Sequence, residues 1–422
     1  MNDSLDIKMC STSDLCGGAG LGAYRLLQGL LFLGANAQLF VQEKKSDDDH
    51  VRGIGGPAGR VLGQFFSCID PLPKLFYPNR HRDAWSCGYL CNPFVPFKTF
   101  DQADIIHLHW INAGMVSIRA IGQLPSQSIV WTLHDSWPFT GGCHITYGCR
   151  KYEERCGDCP QLKSDTERDL SRKIWRYKHH NWHKKTIQIV APSTWMASIV
   201  KASSLFRDFP VSVIPNGLNT HSFSPFEKLS ARRRLGLPER TRLILFSAMG
   251  GVDNWNKGGN LLKDSLAELI KHGYADCKLV LCGNNKPIPK EFFHSECIDL
   301  GRVDDDNEKK YLYSAADVTV IPSHSENLPY VVMESMACGT PCVAFSVGGI
   351  PDIIDHQVNG YLAEPHDVKD FASGIAWVLS DTMRYRNLSY SAREKIIEHF
   401  CYIKVAKRYS DLYSAVYEAS IT

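Results

Sequence analysis

The sequence lacks any apolar run as long as the roughly 18 residues that cross a membrane as a helix, so we expect no transmembrane helix. It also lacks an excess of charge: the formal net charge is +2 at pH 7, which implies no general attraction to nucleic acid. The acidic N-terminal segment lacks the pattern of a signal peptide, so we expect a cytoplasmic protein. In that compartment its 15 cysteines are expected to be thiols or metal ligands rather than disulfides.

Apolar runs typical of buried strands alternate with helical patterns along the whole chain. At 422 residues the chain is long enough for two domains, each with its own core. The alternation predicts an α/β protein with parallel sheets and right-handed crossovers, arranged as two doubly wound domains. Predicted elements include strands at residues 5–10, 277–283 and 298–303, and a first helix at residues 24–33.

Residues 322–341 form a polar loop and a helical pattern between two apolar runs, which predicts a strand–loop–helix–strand unit. Pro329 stands where the first turn of a helix tolerates proline, and Gly339 followed by Pro341 marks the end of that helix. Open α/β sheets bind ligands at the carboxyl ends of their strands, where this loop is expected to lie.

Two carboxylates, Glu326 in the loop and Glu334 in the helix, have seven residues between them. The first free N–H groups of the helix, near Asn327 and Leu328, are able to face an anion. A loop carboxylate, a helix N-terminus and a helix carboxylate suit a molecule with hydroxyls on both sides of a phosphate, such as a nucleotide sugar. The spacing alone leaves open the alternative of an exposed loop glutamate and a helix-surface glutamate.

The Glu-x7-Glu spacing, followed by Ala-Cys-Gly-Thr-Pro, resembles the signature of the retaining nucleotide-sugar glycosyltransferases of family 4, the group 1 glycosyl transferases. The resemblance extends from Ser11 to the C-terminus. It implies the GT-B fold, with two doubly wound Rossmann-like domains whose parallel sheets face a central cleft. It further implies an N-terminal acceptor-side domain at residues 1–215, a nucleotide-sugar-binding domain at 216–395, and C-terminal helices at 396–422 that cross back to the N-terminal domain.

The resemblance assigns roles to several residues of the second domain. Glu326 would hydrogen-bond the donor sugar, and Glu334 would hydrogen-bond the ribose hydroxyls. The turn after the predicted strand at 298–303 would hold the nucleobase mainly through the backbone of Arg302 and Val303.

Lys257 lies beside glycines before a predicted helix, which suits a phosphate group. By the resemblance it balances the leaving diphosphate together with a helix N-terminus, without a catalytic metal ion. The family carries an arginine a few residues earlier, but Val252 occupies that place here. Either Lys257 and the helix N-terminus suffice, or Asn254 or Asn256 completes the phosphate site.

Glycines and histidines mark the predicted ligand side of the first domain. Gly17 and Gly18 lie in a glycine-rich turn between strand and helix, where backbone N–H groups can approach a ligand, although a tight structural turn fits equally well. The predicted strands at 104–110 and 129–135 both end on histidines, which favours a ligand role. By the resemblance, His134 is a catalytic residue that lines the cleft near the point of sugar transfer, and Gly17 and Gly18 lie near the donor phosphates.

A cluster of four cysteines within 17 residues ends in a C-x2-C pair and has the density of a structural zinc site. Free thiols and a disulfide remain as alternatives. The resemblance is to a subgroup of bacterial surface-polysaccharide transferases, of the colanic-acid type, that carry such a loop. The four residues are Cys143, Cys149, Cys156 and Cys159.

Residues 171–185 are predicted to form a helix with six Lys or Arg residues, and Trp175 and Trp182 share one of its faces. Such a helix either packs its tryptophans on the domain or lies on an anionic membrane surface at the inner face of the plasma membrane. The first interpretation is favoured.

The resemblance predicts transfer of a sugar from a UDP- or GDP-sugar to a hydroxyl of a saccharide or lipid-linked saccharide acceptor, with retention of configuration, in surface polysaccharide biosynthesis. Catalysis is expected to need no cofactor, and nucleic acid is not an expected partner. A sugar phosphorylase of the same fold would need a second site for phosphate. A sugar-binding or scaffold protein without catalysis is the other alternative.

Overall fold

Two fully parallel β-sheets organise the chain. The structure, a computed structural model, describes residues 5–125, 128–283, 297–303 and 305–421. The chain divides into two units: unit 1 comprises Met1–Asn216 and Val405–Thr422, and unit 2 comprises Gly217–Lys404. Residues 396–404, which the sequence groups with the C-terminal helices, therefore belong to unit 2.

The sheet of unit 1 has seven strands in the order β3-β2-β1-β4-β5-β6-β7. Its strands are β1 Asp6–Ser13, β2 Asn36–Glu43, β3 Val51–Gly53, β4 Ile105–Leu108, β5 Ile129–Thr132, β6 Ile187–Ala191 and β7 Val211–Val213. Its first six helices are α1 Gly17–Phe32, α2 Gly56–Ile69, α3 Phe97–Phe100, α4 Ile118–Gln123, α5 Leu170–Trp182 and α6 Thr194–Ala202.

The sheet of unit 2 has six strands in the order β10-β9-β8-β11-β12-β13. Its strands are β8 Leu243–Ser247, β9 Lys278–Cys282, β10 Cys297–Asp299, β11 Val318–Ile321, β12 Cys342–Phe345 and β13 Gly360–Ala363. Its helices are α7 Lys228–Arg234, α8 Gly259–Lys271, α9 Asp306–Ala315, α10 Tyr330–Ala337, α11 Ile350–Ile353, α12 Val368–Ser380 and α13 Thr382–Lys395, followed by a π-helical turn at Ile396–Phe400. The last helix of the chain is α14 Tyr402–Ile421.

The strands are buried on both faces because helices cover both sides of each sheet. All four residues of β4, β5, β11 and β12 are buried, as continuous runs of β-branched and apolar residues predict for parallel strands. Each fully buried aliphatic side chain contributes about 1.5–3 kcal/mol of transfer free energy. In unit 1, Tyr409 and Tyr413 of α14 join the core formed by β1, β2 and α1.

Three predicted boundaries are wrong. The first strand continues to Ser13, and α1 begins at Gly17 rather than at residue 24. The glycines have low helix propensity, but a Cβ at Gly20 would lie 2.8 Å from the carbonyl oxygen of Ser13, so close packing of α1 on β1 requires glycine there. The strand predicted at residues 298–303 ends at Asp299, whose carboxylate accepts the Gly301 N–H in a turn at 2.9 Å.

In each sheet, the direction in which successive strands are added reverses at one point. In unit 1 the chain winds outward in opposite directions from the neighbouring strands β1 and β4, and in unit 2 it does so from β8 and β11. The loops that leave the carboxyl ends of such a strand pair diverge and leave a crevice, which is where open α/β sheets bind ligands. The topology thus selects the loops after β1, β4, β8 and β11 as the candidate site in each unit.

Candidate active site

The loops after β8 and β11 are joined to each other by hydrogen bonds. Asn256 donates from Nδ2 to the carbonyl oxygen of Ser325 at 2.8 Å, and the N–H of His324 donates to the carbonyl oxygen of Asn256 at 2.8 Å. These bonds place Lys257 Nζ 2.7 Å from Oε1 of Glu326. The lysine side chain is 25% exposed and the glutamate side chain 12% exposed, so the ion pair is accessible but partly withdrawn from water.

Two glycines permit the close packing around this ion pair. A Cβ at Gly258, which has a φ of +71°, would lie 1.9 Å from the carbonyl oxygen of Pro322. A Cβ at Gly348, which has a φ of +58°, would lie 1.7 Å from the carbonyl oxygen of Glu326. Gly349 also donates its N–H to that carbonyl oxygen at 3.0 Å. Because both glycines have positive φ and no room for a side chain, they fix the backbone that carries Lys257 and Glu326.

Glu334 is buried inside unit 2, with 3% of its surface exposed. Its Oε2 accepts a hydrogen bond from the Tyr313 hydroxyl at 2.9 Å. Burial, reinforced by the Glu334 charge, raises the pKa of Tyr313 well above its ordinary value, so this hydroxyl remains a donor. The alternative of a helix-surface glutamate is therefore wrong, and Tyr313 is a partner that the spacing of the two glutamates did not indicate.

The helix after the loop is shorter than the sequence suggests. It begins at Tyr330 with Pro329 as its N-cap residue, so Asn327 and Leu328 belong to the preceding loop and not to the first helical turn. Anion binding by N–H groups of this helix would thus involve its first residues, from Tyr330 onward. Gly339, with a φ of +75°, follows the helix end as predicted.

The position where the family carries an arginine holds Val252, whose side chain packs against the core of unit 2. Asn254 accepts the N–H of Asn256 on its side-chain oxygen at 3.1 Å, so it stabilises the turn before Lys257. Asn256 uses its Nδ2 to hold the neighbouring loop, and its buried Oδ1 has no hydrogen-bond partner among the described residues. The asparagines therefore position Lys257, and the structure assigns them no contact that replaces an arginine charge.

Arg302 and Val303 lie in the segment that follows β10, at the carboxyl edge of the same sheet. Arg302 is exposed and Val303 is half-buried. Their predicted backbone contact to a nucleobase stays a prediction.

In unit 1, a buried aspartate organises the loop after β1. Asp14 accepts the N–H groups of Lys45 at 2.9 Å and Ser46 at 2.8 Å, which ties this loop to the segment after β2. Gly17, with a φ of +68° and no atom within 4 Å of its Cβ position, and Gly18 are the first two residues of α1. They form the N-terminus of a 16-residue helix that has no side-chain cap, which suits contact with an anion.

Three histidines meet at the carboxyl ends of β4 and β5. His109 Nδ1 lies 3.0 Å from His134 Nε2, and the fully buried His107 contacts the hydroxyls of Thr132 and Tyr413 at 2.8 and 2.7 Å. Burial lowers the pKa of His134 to about 4 and that of His107 to about 3, and it lowers the pKa of His109 well below the ordinary value. All three imidazoles are therefore neutral at pH 7, and half-buried His134 presents an uncharged hydrogen-bonding group.

A second hydrogen-bonded chain follows β5. Asp135 Oδ2 accepts from Trp110 Nε1 and from His144 Nδ1, both at 2.6 Å, and His144 Nε2 lies 3.0 Å from the Ser86 hydroxyl. Burial alone would raise the pKa of Asp135, but His144 and the N–H groups of Trp137 and Trp110 hold it below its ordinary value. The sequence carries no local signal for this role of His144, because a contact between residues 135 and 144 follows no helix or strand period.

The four cysteines of the predicted zinc site line one cavity of about 20 Å³. These four cysteines form no disulfide in the structure, so the disulfide alternative is not realised. Within the described residues, no three His, Cys, Asp or Glu side chains already stand at the spacing of metal ligands. The residues in question are Cys143, Cys149, Cys156 and Cys159.

The basic segment at residues 171–185 packs its tryptophans on the domain, which is the interpretation that the sequence favoured. Trp182 of α5 is buried in the core and donates from Nε1 to the carbonyl oxygen of Ile118 at 2.9 Å, and Trp175 is also buried. This tryptophan face is thus unavailable to a membrane surface. No helix among the described residues is both long and apolar enough to cross a membrane.

Two sequence profiles match the chain. One, described as Glycosyltransferase Family 4, matches residues 16–222, and the other, described as Glycosyl transferases group 1, matches residues 227–395. The chain belongs to this glycosyltransferase family. The second match contains Lys257, Glu326 and Glu334, and the first contains Gly17 and His134.

Curated members of the family match the chain over part of its length. A D-inositol 3-phosphate glycosyltransferase of Thermobispora bispora is 31% identical over 221 residues, which is 49% of this chain and 51% of that protein. An uncharacterized glycosyltransferase of Methanocaldococcus jannaschii is 29% identical over 289 residues, covering 65% of this chain and 71% of that protein. The chain thus spans about half the length of the first of these relatives.

Solved structures of glycosyltransferases match nearly the whole chain. Sucrose-phosphate synthase of Thermosynechococcus elongatus has a TM-score of 0.69 at 20% identity, covering 98% of this chain and 99% of that one. HepE of Anabaena in complex with UDP-glucose has a TM-score of 0.66 at 16% identity, covering 97% and 100%. WaaG, a glycosyltransferase of lipopolysaccharide biosynthesis, has a TM-score of 0.62 at 14% identity, covering 96% and 99%. The predicted GT-B fold of two parallel-sheet α/β domains is confirmed.

Proposed function

We propose that this glycosyltransferase moves a sugar from a nucleotide diphosphate to a hydroxyl of a saccharide acceptor, with retention of anomeric configuration. The observation that carries the proposal is the Lys257–Glu326 ion pair at the strand-order reversal of unit 2, with buried Glu334 on the next helix. The donor is a UDP- or GDP-sugar. The complex of the structurally similar HepE with UDP-glucose supports this class of donor.

Lys257 is placed to bind the donor diphosphate. Within the described residues, the only hydrogen-bond partner of its ammonium group is Glu326. A diphosphate carries more negative charge than this carboxylate, so it would compete with Glu326 for the ammonium group. As the bond to the sugar breaks, negative charge grows on the departing diphosphate, and a fixed ammonium group stabilises it. Protein groups thus neutralise the diphosphate in place of a metal ion, and catalysis needs no metal.

The two glutamates bind different parts of the donor, Glu326 the sugar ring and Glu334 the ribose. Glu326 is accessible and would exchange its contact with Lys257 for hydroxyls of the sugar ring. Glu334 is buried and already oriented by Tyr313, so it would accept hydrogen bonds from the ribose hydroxyls without reorganisation. Neutral His134 would act as a hydrogen-bonding group near the transferred sugar, and Gly17 and Gly18 would offer N–H groups of α1 to the donor.

The acceptor is a surface polysaccharide under synthesis or its lipid-linked precursor, and the protein acts in the cytoplasm. Two observations support this choice: the resemblance of the cysteine-rich loop to that of the colanic-acid-type subgroup, and the structural similarity to WaaG, a glycosyltransferase involved in lipopolysaccharide biosynthesis.

The first experiment incubates the purified chain with a panel of nucleotide sugars and measures release of nucleoside diphosphate, without and with added phosphate. Release from one donor in the absence of phosphate supports the transferase. Release that requires phosphate would instead indicate a phosphorylase, and no release from any donor, even with saccharide acceptors present, would contradict the proposal.

A matched pair of variants tests the division of labour. Glu334→Gln should mainly raise KM for the donor, because ribose does not react and its contact is the same in the ground and transition states. Glu326→Gln should mainly lower kcat, because charge and shape change at the sugar ring during transfer. Affinity for nucleoside diphosphate should fall only in the Glu334 variant. An equal loss in both variants would refute the assignment of the two carboxylates.

A further inference from the structure

Four cysteines that sugar transfer does not use surround one cavity of unit 1. They come from two short segments of the loop between β5 and α5, and each segment supplies two. In the second segment, three successive residues, Cys156, Gly157 and Asp158, have positive φ values of +47°, +111° and +41°. Such strained backbone persists only where surrounding contacts hold it.

The second cysteine pair is built onto the first turn of α5. The N–H of Cys159 donates to Asp169 at 2.8 Å, and the N–H of Gly157 donates to the Ser171 hydroxyl at 2.9 Å. Arg172 donates from Nε to the carbonyl oxygen of Cys156 at 2.7 Å. A C-x2-C turn that is anchored in this way presents both thiols from a rigid element, as a metal site requires.

A buried cation lies close to the cysteines. Lys178 on α5 is fully buried, and its ammonium group donates to the carbonyl oxygens of Thr140, at 3.0 Å, and Trp137. In the described part of the chain, the hydrogen-bond acceptors of this ammonium group are backbone carbonyl oxygens and not carboxylates. Cys156 and Cys143 are within electrostatic range of it. Asp135 is in range as well and supplies one negative charge, and the centroid of the Trp137 ring lies 3.8 Å from Nζ, where it also stabilises the ammonium group.

An ammonium group in the protein interior is costly unless a negative charge lies nearby. Asp135 supplies one such charge, and four neutral thiols add none. A zinc ion bound by four thiolates carries a net charge of about −2, and this charge would compensate Lys178.

We propose that the four cysteines bind one structural zinc ion as thiolates and that Lys178 balances the charge of this centre. The four thiol protons pass to solvent as the zinc–sulfur bonds form. Because no three thiols stand at ligand spacing, the side chains turn into the cavity when the ion binds, to the zinc–sulfur distance of about 2.3 Å. The ligands are Cys143, Cys149, Cys156 and Cys159, and the site is independent of the proposed sugar transfer.

The first test measures metal in the full-length chain, expressed with zinc in the medium and purified without chelators. Native mass spectrometry and elemental analysis should find about one zinc per wild-type chain. Cys156→Ser and Cys159→Ser should lose it, and Cys68→Ser, which changes an exposed cysteine outside the cluster, should keep it. A wild-type chain without zinc, whose four thiols react freely with a thiol reagent or form a disulfide, would overturn the proposal.

If the serine variants fail to fold, the wild-type chain alone decides the question. Replacing zinc by Co²⁺ should produce the absorption of a tetrahedral cobalt–thiolate centre, and an octahedral, thiolate-free spectrum would refute it. The role of Lys178 is tested by competition with a zinc chelator. Lys178→Met should weaken zinc binding by at least about tenfold, and Lys201→Met, at an exposed position of α6, should not. Equal zinc affinity of the two variants would show that Lys178 does not balance the charge of the zinc centre.

Discussion

Acid should destabilise unit 1 through His107, a fully buried residue near the carboxyl end of β4. Its two ring nitrogens lie 2.7 Å from the Tyr413 hydroxyl and 2.8 Å from the Thr132 hydroxyl. Burial, together with nearby His134, lowers its pKa to about 3. The folded protein therefore keeps this imidazole neutral at pH values where the unfolded chain has already bound a proton.

The sign and size of the effect follow from proton linkage. The folded-state pKa lies below the unfolded value of about 6.5, so the unfolded chain binds the extra proton and stability falls as the pH falls. The loss begins near pH 6.5 and is complete near pH 3. At about pH 5, roughly 1.5 units below the unfolded pKa, this one histidine costs about 2 kcal/mol, a large part of a typical stability of about 5–15 kcal/mol.

Denaturant unfolding at about pH 7.5 and about pH 5, followed by hydrogen exchange of β4 and β5, measures the effect in unit 1 alone. In His107→Asn the loss between the two pH values should be smaller than in the wild type by about 2 kcal/mol. The comparison is made within each protein, so a constant destabilisation of the variant cancels. His180→Gln, at an exposed histidine of α5, should behave like the wild type.

Two results would refute this reasoning. The first is a free energy of unfolding that changes with pH by the same amount in His107→Asn as in the wild type. The second is an NMR titration of the histidine rings in which His107 has its ordinary pKa of about 6.5. Either result would mean that His107 is solvated or finds an anionic partner in solution.

Lys257→Ala should lower kcat/KM for the donor by at least about a hundredfold, because it removes the charge that stabilises the leaving diphosphate, and omission of magnesium should leave the wild-type rate unchanged. A normal rate in this variant would place the phosphate site elsewhere. Gly348→Ala should destabilise unit 2 by about 2 kcal/mol or more, because its Cβ would lie 1.7 Å from the Glu326 carbonyl oxygen. Gly236→Ala, with a φ of +65° and open space at Cβ, is its control and should cost only about 1 kcal/mol.

The sequence by itself determined the fold class and the location of the candidate donor site. Continuous apolar runs such as Val318–Ile321 and Cys342–Phe345 identified buried parallel strands, because a strand covered on both faces needs apolar residues at every position. The Glu-x7-Glu spacing identified the family, since both glutamates lie within one short local unit.

Only the tertiary structure decided which residues meet. The contact of Lys257 with Glu326 spans 69 residues, and that of His107 with Tyr413 spans 306. Hydrophobic periodicity reports which face of an element is buried, but it does not report the order of strands in a sheet. That order brings the loops after β8 and β11 together and buries Glu334 against α9, so these contacts are properties of the fold and not of any local pattern.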